Sequence, residues 1–161
     1  MRVMFDTSVL VAGHVPTHVD YESAREWLDA ARRGSFKMML AAHTLAETYS
    51  TLTRMPIRPR IQPAAVTEMF ESNILPFASV HALVPDDYVA VIKQLAMEDF
   101  IGGIVYDALG VKAAQLAQAD RMLTFNLKHF RRLWPAGYDK IISPNDVAPT
   151  DLVPPLVLPR D

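Results

Sequence analysis

Four acidic residues stand where successive segments of this chain begin or end. Asp6 closes the first apolar run, Glu47 sits early in the second strong helical segment, and Asp107 opens an alanine-rich helix after Gly102 and Gly103. Asp120 stands just before another short apolar run. One carboxylate at an element end usually caps a helix or faces water; four of them, brought together, make a metal site. Two carboxylates about 5 Å apart repel by roughly 3 kcal/mol at an effective dielectric near 20. A group of three or four raises at least one pKa strongly unless a positive charge compensates. No lysine or arginine adjoins Asp6, Glu47 or Asp107 in the chain, and Arg121 adjoins only Asp120. A hard divalent cation is the simpler compensation, and all-oxygen ligation selects Mg²⁺ or Mn²⁺ over zinc or copper.

The elements that must position these residues alternate between strand and helix. Arg2 to Phe5 reads as a short strand, and Tyr21 to Arg33 as a helix with Ala24, Trp27, Leu28 and Ala31 at helical spacing and Gly34 as its stop. Lys37 to Ala41 is a continuous apolar run, suited to a sheet covered on both faces. Thr44, with Glu47 three residues later, suits a capping box for a helix running to about Arg54. Further helices are expected from Pro63 to about Asn73, Pro85 to about Glu98, Val105 to about Gln118, and Leu127 to Leu133. Strands are expected within Phe77 to Leu83, at Met122 to Phe125, and at Ile141 with Ile142. The expectation is a three-layer α/β fold over residues 1–144, with a mostly parallel central sheet flanked by helices. Residues 145–161 form a proline-rich tail that cannot continue a helix or a central strand. In such sheets ligands gather outside the carboxyl ends of the strands, where strand order reverses. Asp6, Thr124 and Asn126 fall at carboxyl ends, and Glu47 and Asp107 lie near helix starts.

Composition narrows the field. The chain has no cysteine, which removes disulfides and thiolate metal ligands. A formal net charge of −2 argues against a broadly basic nucleic-acid-binding surface but permits a local basic rim. No apolar stretch is long enough to cross a membrane, and Met1 to Phe5 lacks the layout of a signal peptide. A cytoplasmic protein is the expectation.

Taken in order, these pieces resemble the PIN-domain ribonucleases, most closely the VapC-type toxins of toxin–antitoxin pairs. The resemblance is carried by Phe5-Asp6-Thr7-Ser8-Val9-Leu10, His43-Thr44-Leu45-Ala46-Glu47-Thr48-Tyr49 and Tyr106-Asp107-Ala108-Leu109. It continues through Ala119-Asp120-Arg121-Met122-Leu123-Thr124-Phe125-Asn126, Lys128-His129-Phe130 and Ile141-Ile142-Ser143-Pro144. It implies that Asp6, Glu47, Asp107 and Asp120 form an acidic quartet holding catalytic Mg²⁺ or Mn²⁺. It further implies that Thr7, Ser8, Thr124 and Asn126 brace that quartet. The implied reaction is metal-assisted hydrolysis of an RNA phosphodiester. The implied partners are a cognate antitoxin protein and a second copy of the chain in a homodimer.

Local uses compete with these roles. Asp6 can cap the turn after its strand, Glu47 can complete the capping box with Thr44, Asp107 can start its helix, and Asp120 can stabilise a turn. A PIN-like module that binds RNA or protein without catalysis is the alternative function. A phosphatase of the haloacid dehalogenase type also begins with a strand ending in aspartate, but it needs a second aspartate where Ser8 stands. For the RNA rim, Arg121, Lys128, Arg54 and Arg58 are the expected phosphate contacts, because guanidinium and ammonium groups match phosphate oxygens. Arg131 and Arg132 suit a solvated helix face equally well. His43 is expected near a helix cap and His129 at the rim or in solvent, neither of them catalytic.

Overall fold

Short strands whose side chains are apolar on both sides build the sheet. In β1 (Arg2–Phe5) Val3 and Phe5 enter one layer and Met4 the other, and all three are buried. In β2 (Lys37–Ala41) Met38 and Leu40 enter the first layer, Met39 and Ala41 the second. The structure, a computed structural model, describes residues 1–152. With β3 (Ala78–His81), β4 (Arg121–Leu123) and β5 (Ile141–Ile142), these strands form one five-stranded sheet in the order β3-β2-β1-β4-β5. All four pairings are parallel. The chain moves outward from β1 to β3 and then returns to the other side of β1 for β4. Strand order therefore reverses between β1 and β4, which opens a crevice at their carboxyl ends.

Helices cover both faces, as a buried parallel sheet requires. On the first lie α1 (Thr7–Ala12) and α2 (Tyr21–Arg32), with Trp27 of α2 packed against Phe5 and Phe36 at ring distances of 6.5 and 5.4 Å. Gly34, at φ +74°, turns the chain from α2 into β2. From β2 the chain passes directly into α3 (Ala42–Arg54), which packs on α1, and then into α4 (Pro63–Met69). The second face carries α5 (Pro85–Met97), α6 (Ile104–Leu116) and α7 (Leu127–Leu133). Small residues of α6, Ala113 and Ala114 among them, let that helix lie close to Met4 and Met39.

Three expectations needed revision. Residues 7–12 form a helix that the sequence reading left unassigned. Thr44 does not cap α3: the helix begins two residues earlier, and Thr44 is buried inside its first turn. The helix expected from Pro63 stops at Met69 and continues as a wider π turn over Phe70–Ile74. Part of the proline-rich segment is built into the fold. Trp27 Nε1 donates to the Val147 carbonyl at 3.1 Å, and Val147 and Leu152 pack on the first-face core. The single turn α8 (Pro149–Leu152) starts with proline, where no N–H is needed. The rest of the expected tail, residues 153–161, lies outside the described residues. Among the described residues no helix is long and apolar enough to cross a membrane.

Candidate active site

Asp6 is placed by the sheet itself. Its backbone N–H donates to Leu123 O at 3.0 Å, which fastens the end of β1 to the end of β4. The Asp6 carboxylate then caps α1. Its Oδ2 accepts from Ser8 N (3.3 Å), Ser8 Oγ (2.6 Å) and Thr124 Oγ1 (2.9 Å). The two hydroxyls are themselves held: Ser8 Oγ accepts from Phe125 N at 3.2 Å and Thr124 Oγ1 from Asn126 N at 2.9 Å. Thr124 is fully buried. The capping role expected for Asp6 is thus real, and it aims the carboxylate into the crevice.

Glu47 arrives on the second turn of α3, and Thr7 Oγ1 of α1 donates to its Oε2 at 3.1 Å. Since Thr44 makes no capping box, Glu47 is not committed to its own helix end. His43, one turn earlier, contacts the Tyr106 carbonyl through Nε2 at 3.2 Å and so ties α3 to α6. Burial holds His43 below its ordinary pKa. A neutral ring donating from Nε2 satisfies that carbonyl and gives Glu47 no positive partner, although the two side chains lie 3.9 Å apart.

Asp107 lies in the first turn of α6. Its Oδ2 accepts from Asn126 Nδ2 at 3.1 Å and lies 3.2 Å from His129 Nδ1, while Asn126 Nδ2 and His129 Nδ1 are 2.7 Å apart. Nδ1 of His129 either donates to Asp107 or accepts from the Asn126 amide, according to its tautomer, and cannot do both. Burial first, then the charge of Asp6, push Asp107 up to about 6, against the hydrogen bond and charge of His129 and the hydrogen bond of Asn126. Glu47 is pushed up to about 7, chiefly by burial and further by Asp6 and Asp107, while the Thr7 bond opposes the rise.

Asp6, Glu47 and Asp107 therefore share one electrostatic environment in the β1/β4 crevice. Among the described residues no three Asp, Glu, His or Cys side chains stand close enough to grip one ion as they are turned here. The donor set still fits a hard divalent cation. Its atoms are carboxylate oxygens, and two of the three groups are pushed up, first by burial and then by the charge of neighbouring carboxylates that a cation would offset.

The structure does not bring Asp120 to this group. In a parallel sheet the residue preceding a strand lies at the end opposite the crevice, and that is where Asp120 sits. Its Oδ2 accepts from Arg2 N and its N–H donates to Arg2 O, both at the amino ends of β1 and β4. Arg121 goes with it, its Nη1 donating to the Asp120 carbonyl. Asn126, expected as a brace, does lie beside Asp107, donating to it from Nδ2.

Two clefts flank the carboxylates. One, of about 520 Å³, is lined by Phe100, Ile101, Asp107, Asn126, His129 and Arg132. The other, of about 360 Å³, is lined by His43, Glu47, Ser50, Thr51, Arg54 and Tyr106. Of the expected rim, Arg54 lines a cleft, whereas Arg58 and Lys128 are exposed but line neither. Arg132, for which a solvated helix face was as good an expectation as the rim, lines the first cleft, its guanidinium stacked 4.1 Å above the Phe100 ring. His129, expected at the rim or in solvent, lines the same cleft. Residues 126, 129 and 132 recur every three positions, which places them along one face of α7 from its N-cap to its last turn.

Comparison with known proteins follows the same lines. The model of the family described as PIN domain matches residues 3–133. Ribonuclease VapC40 of Mycobacterium tuberculosis is 40% identical over 127 residues, covering 76% of this chain and 85% of that protein. The crystal structure of M. tuberculosis VapC20, described as a sarcin-ricin loop cleaving toxin, superposes with a TM-score of 0.58 at 19% identity, over 74% of this chain and 86% of that one. FitAcB from Neisseria gonorrhoeae superposes with a TM-score of 0.60 at 17% identity, over 90% and 99%. The two structural likenesses speak for the fold alone.

Proposed function

The chain belongs to the PIN domain family, among the VapC-type ribonucleases, and from that membership we propose that it is a Mg²⁺- or Mn²⁺-dependent endoribonuclease. The observation that carries this reading is the arrival of Asp6, Glu47 and Asp107 from three elements at one crevice, with no lysine or arginine among the groups that shift Glu47 and Asp107. These three residues would hold the ion. When bound, it supplies Lewis-acid polarisation of a phosphoryl oxygen and activation of water.

The chain's own residues prepare the site for that ion and for an RNA strand. Ser8 and Thr124 fix Asp6 through buried hydroxyls, Thr7 orients Glu47, and Asn126 with His129 orients Asp107. Arg54 and Arg132, one in each flanking cleft, are placed to take phosphates on either side of the cleaved bond. As in other VapC-type pairs, the protein acts as a toxin and a cognate antitoxin silences it by covering this groove. The working form is a homodimer in the cytoplasm.

A non-catalytic RNA- or protein-binding module is the second reading, favoured by the amide of Asn126 beside Asp107 and by the open arrangement of the carboxylates. Incubation of the antitoxin-free protein with a structured RNA pool distinguishes the two. The nuclease reading expects internal cleavage in Mg²⁺ or Mn²⁺ that is lost in EDTA and in a folded Asp6→Asn variant. RNA retained intact but bound, in every metal, supports the module.

A further inference from the structure

We propose that the cleft beside Glu47 is a base-stacking subsite, in which Tyr106 takes the face of one unpaired nucleobase of an RNA strand. The inference rests on the ribonuclease reading above and concerns which part of the strand the protein recognises. Tyr106 immediately precedes Asp107 in α6, and its carbonyl meets His43 Nε2 of α3 at 3.2 Å. The residue is nevertheless half exposed, and it lines the cleft of about 360 Å³ that Glu47 also lines. Its ring lacks the covering that other rings of the molecule have. Phe5, Trp27 and Phe36 stack on one another in the core. Phe100, Trp134 and Tyr138 each carry a cation over the face, from Arg132, Lys140 and Arg131 respectively. Among the described residues no aromatic or cationic group stacks on Tyr106.

The surroundings of that ring fit a nucleotide. Arg54 lies two turns of α3 beyond Glu47, about 11 Å along the helix axis, with Ser50 and Thr51 between them on the same wall. A strand that holds one phosphate at the carboxylates and a later one at Arg54 has to lay the intervening nucleoside along this wall, facing Tyr106. The guanidinium suits the phosphate, the hydroxyls suit ribose, and the aromatic ring suits the base. Every base has a π-face, so the contact selects an unpaired base and not one sequence. The groove runs on past Arg54 into a hollow, also of about 360 Å³, that shares Ser50, Thr51 and Arg54 and ends at Met55 and Pro56. The cleft on the Asp107 side differs. Its aromatic ring, Phe100, already carries Arg132, so that side offers a phosphate contact and no open ring. Stacking of a base is thereby confined to one side of the cleaved bond.

The test is fluorescence anisotropy with three labelled decamers of equal charge: oligoadenylate, oligouridylate and an abasic ribose-phosphate strand. The full chain carrying Asp6→Asn is the background that prevents cleavage. In it the adenylate is expected to bind more tightly than the uridylate, and the uridylate more tightly than the abasic strand, as stacking requires. Tyr106→Ala is expected to weaken adenylate binding on the order of 10-fold and to leave the abasic strand unchanged. Tyr106→Phe, which keeps the ring, is expected to bind adenylate as the background does. Arg54→Ala should weaken all three strands alike. Tyr49 is a comparably exposed residue of α3 that lines neither cleft, and Tyr49→Ala should change none of them. Equal losses for adenylate and the abasic strand in Tyr106→Ala would overturn the inference, because the ring would then act through the fold or the RNA backbone. Strands bound without regard to residue 106 would overturn it too, and would leave the cleft to a protein partner. If no strand binds while wild type still cleaves the structured pool, the inference alone falls, since stacking tolerates any sequence. If neither binding nor cleavage is seen, the ribonuclease reading falls with it.

Discussion

At the scale of single residues, the site is decided by which hydroxyl meets which carboxylate oxygen. Thr124 has no exposed surface, and its Oγ1 both donates to Asp6 and accepts from Asn126 N. Thr124→Val keeps the shape but strands both partners, which is expected to cost about 1–3 kcal/mol in thermal unfolding. Metal affinity should fall on the order of 10- to 100-fold, as for other residues that orient a ligand. Glu47 and Asp107 give a second prediction. Both are raised, Glu47 to about 7 and Asp107 to about 6, so the folded chain holds these protons more tightly than the unfolded chain. Their stabilising contribution is present at acid pH and is lost as pH rises through 6 and 7. In EDTA, Glu47→Gln is therefore expected to be more stable than wild type at pH 8, by roughly 1 kcal/mol since water still reaches the group. The difference should shrink as pH falls and vanish near pH 4, below the ordinary Glu value, and equal slopes of melting temperature against pH in the two proteins would refute it. The sequence made three of the four carboxylates legible, because Asp6, Glu47 and Asp107 all lie where strands end or helices begin. Asp120 was misassigned by its neighbours in the motif. The direction of the strand after it, Arg121 to Leu123, was the physical signal that it belongs at the other end, and the same direction points to Thr124 and Asn126.

At the scale of elements, the long periodic helices and the apolar strands were readable because burial on both sheet faces leaves little choice of residue. The short α1 was not. Its six residues, Thr7–Ala12, are too few to show a helical period and continue an apolar run that already reads as strand. The start of α3 was hidden for a different reason. β2 turns into the helix with no intervening loop, so Ala41 takes the cap position and no side-chain signal marks it. Gly110, in the interior of α6, tests how tightly the second face is packed. A Cβ there would meet Phe130 Cε1 at 3.7 Å and Met122 Cε at 3.8 Å, both ordinary contacts. Gly110→Ala should raise stability by roughly 0.5–1 kcal/mol through helix propensity and a less mobile unfolded chain. Gly13→Ala is the contrasting case, because its Cβ would collide with the Leu28 side chain. Chemical denaturation of the two variants should move the midpoints in opposite directions.

For the molecule as a whole, the strand order accounts for how a chain of net charge −2 would take the polyanion proposed as its substrate. Reversal between β1 and β4 gathers the carboxylates into one crevice, and α3 and α7 then set Arg54 and Arg132 in the clefts to either side. The acidic centre is thereby flanked by a cation in each cleft, while Arg121 is carried to the opposite end of the sheet. Phosphate contacts release counterions, so each one lost from a single strand should flatten the slope of log affinity against log salt by about 0.7. With an Asp6→Asn background to prevent cleavage, Arg132→Ala and Arg54→Ala are each expected to weaken RNA binding several-fold and to lower that slope by about one contact. Arg121→Ala should change neither, since its guanidinium is spent on the Asp120 carbonyl at the amino ends of β1 and β4. Fluorescence anisotropy of a labelled oligonucleotide between low and moderate salt separates the cases. A loss for Arg121→Ala equal to that for Arg132→Ala would mean that RNA crosses the sheet's other end, and the crevice would no longer define the binding face.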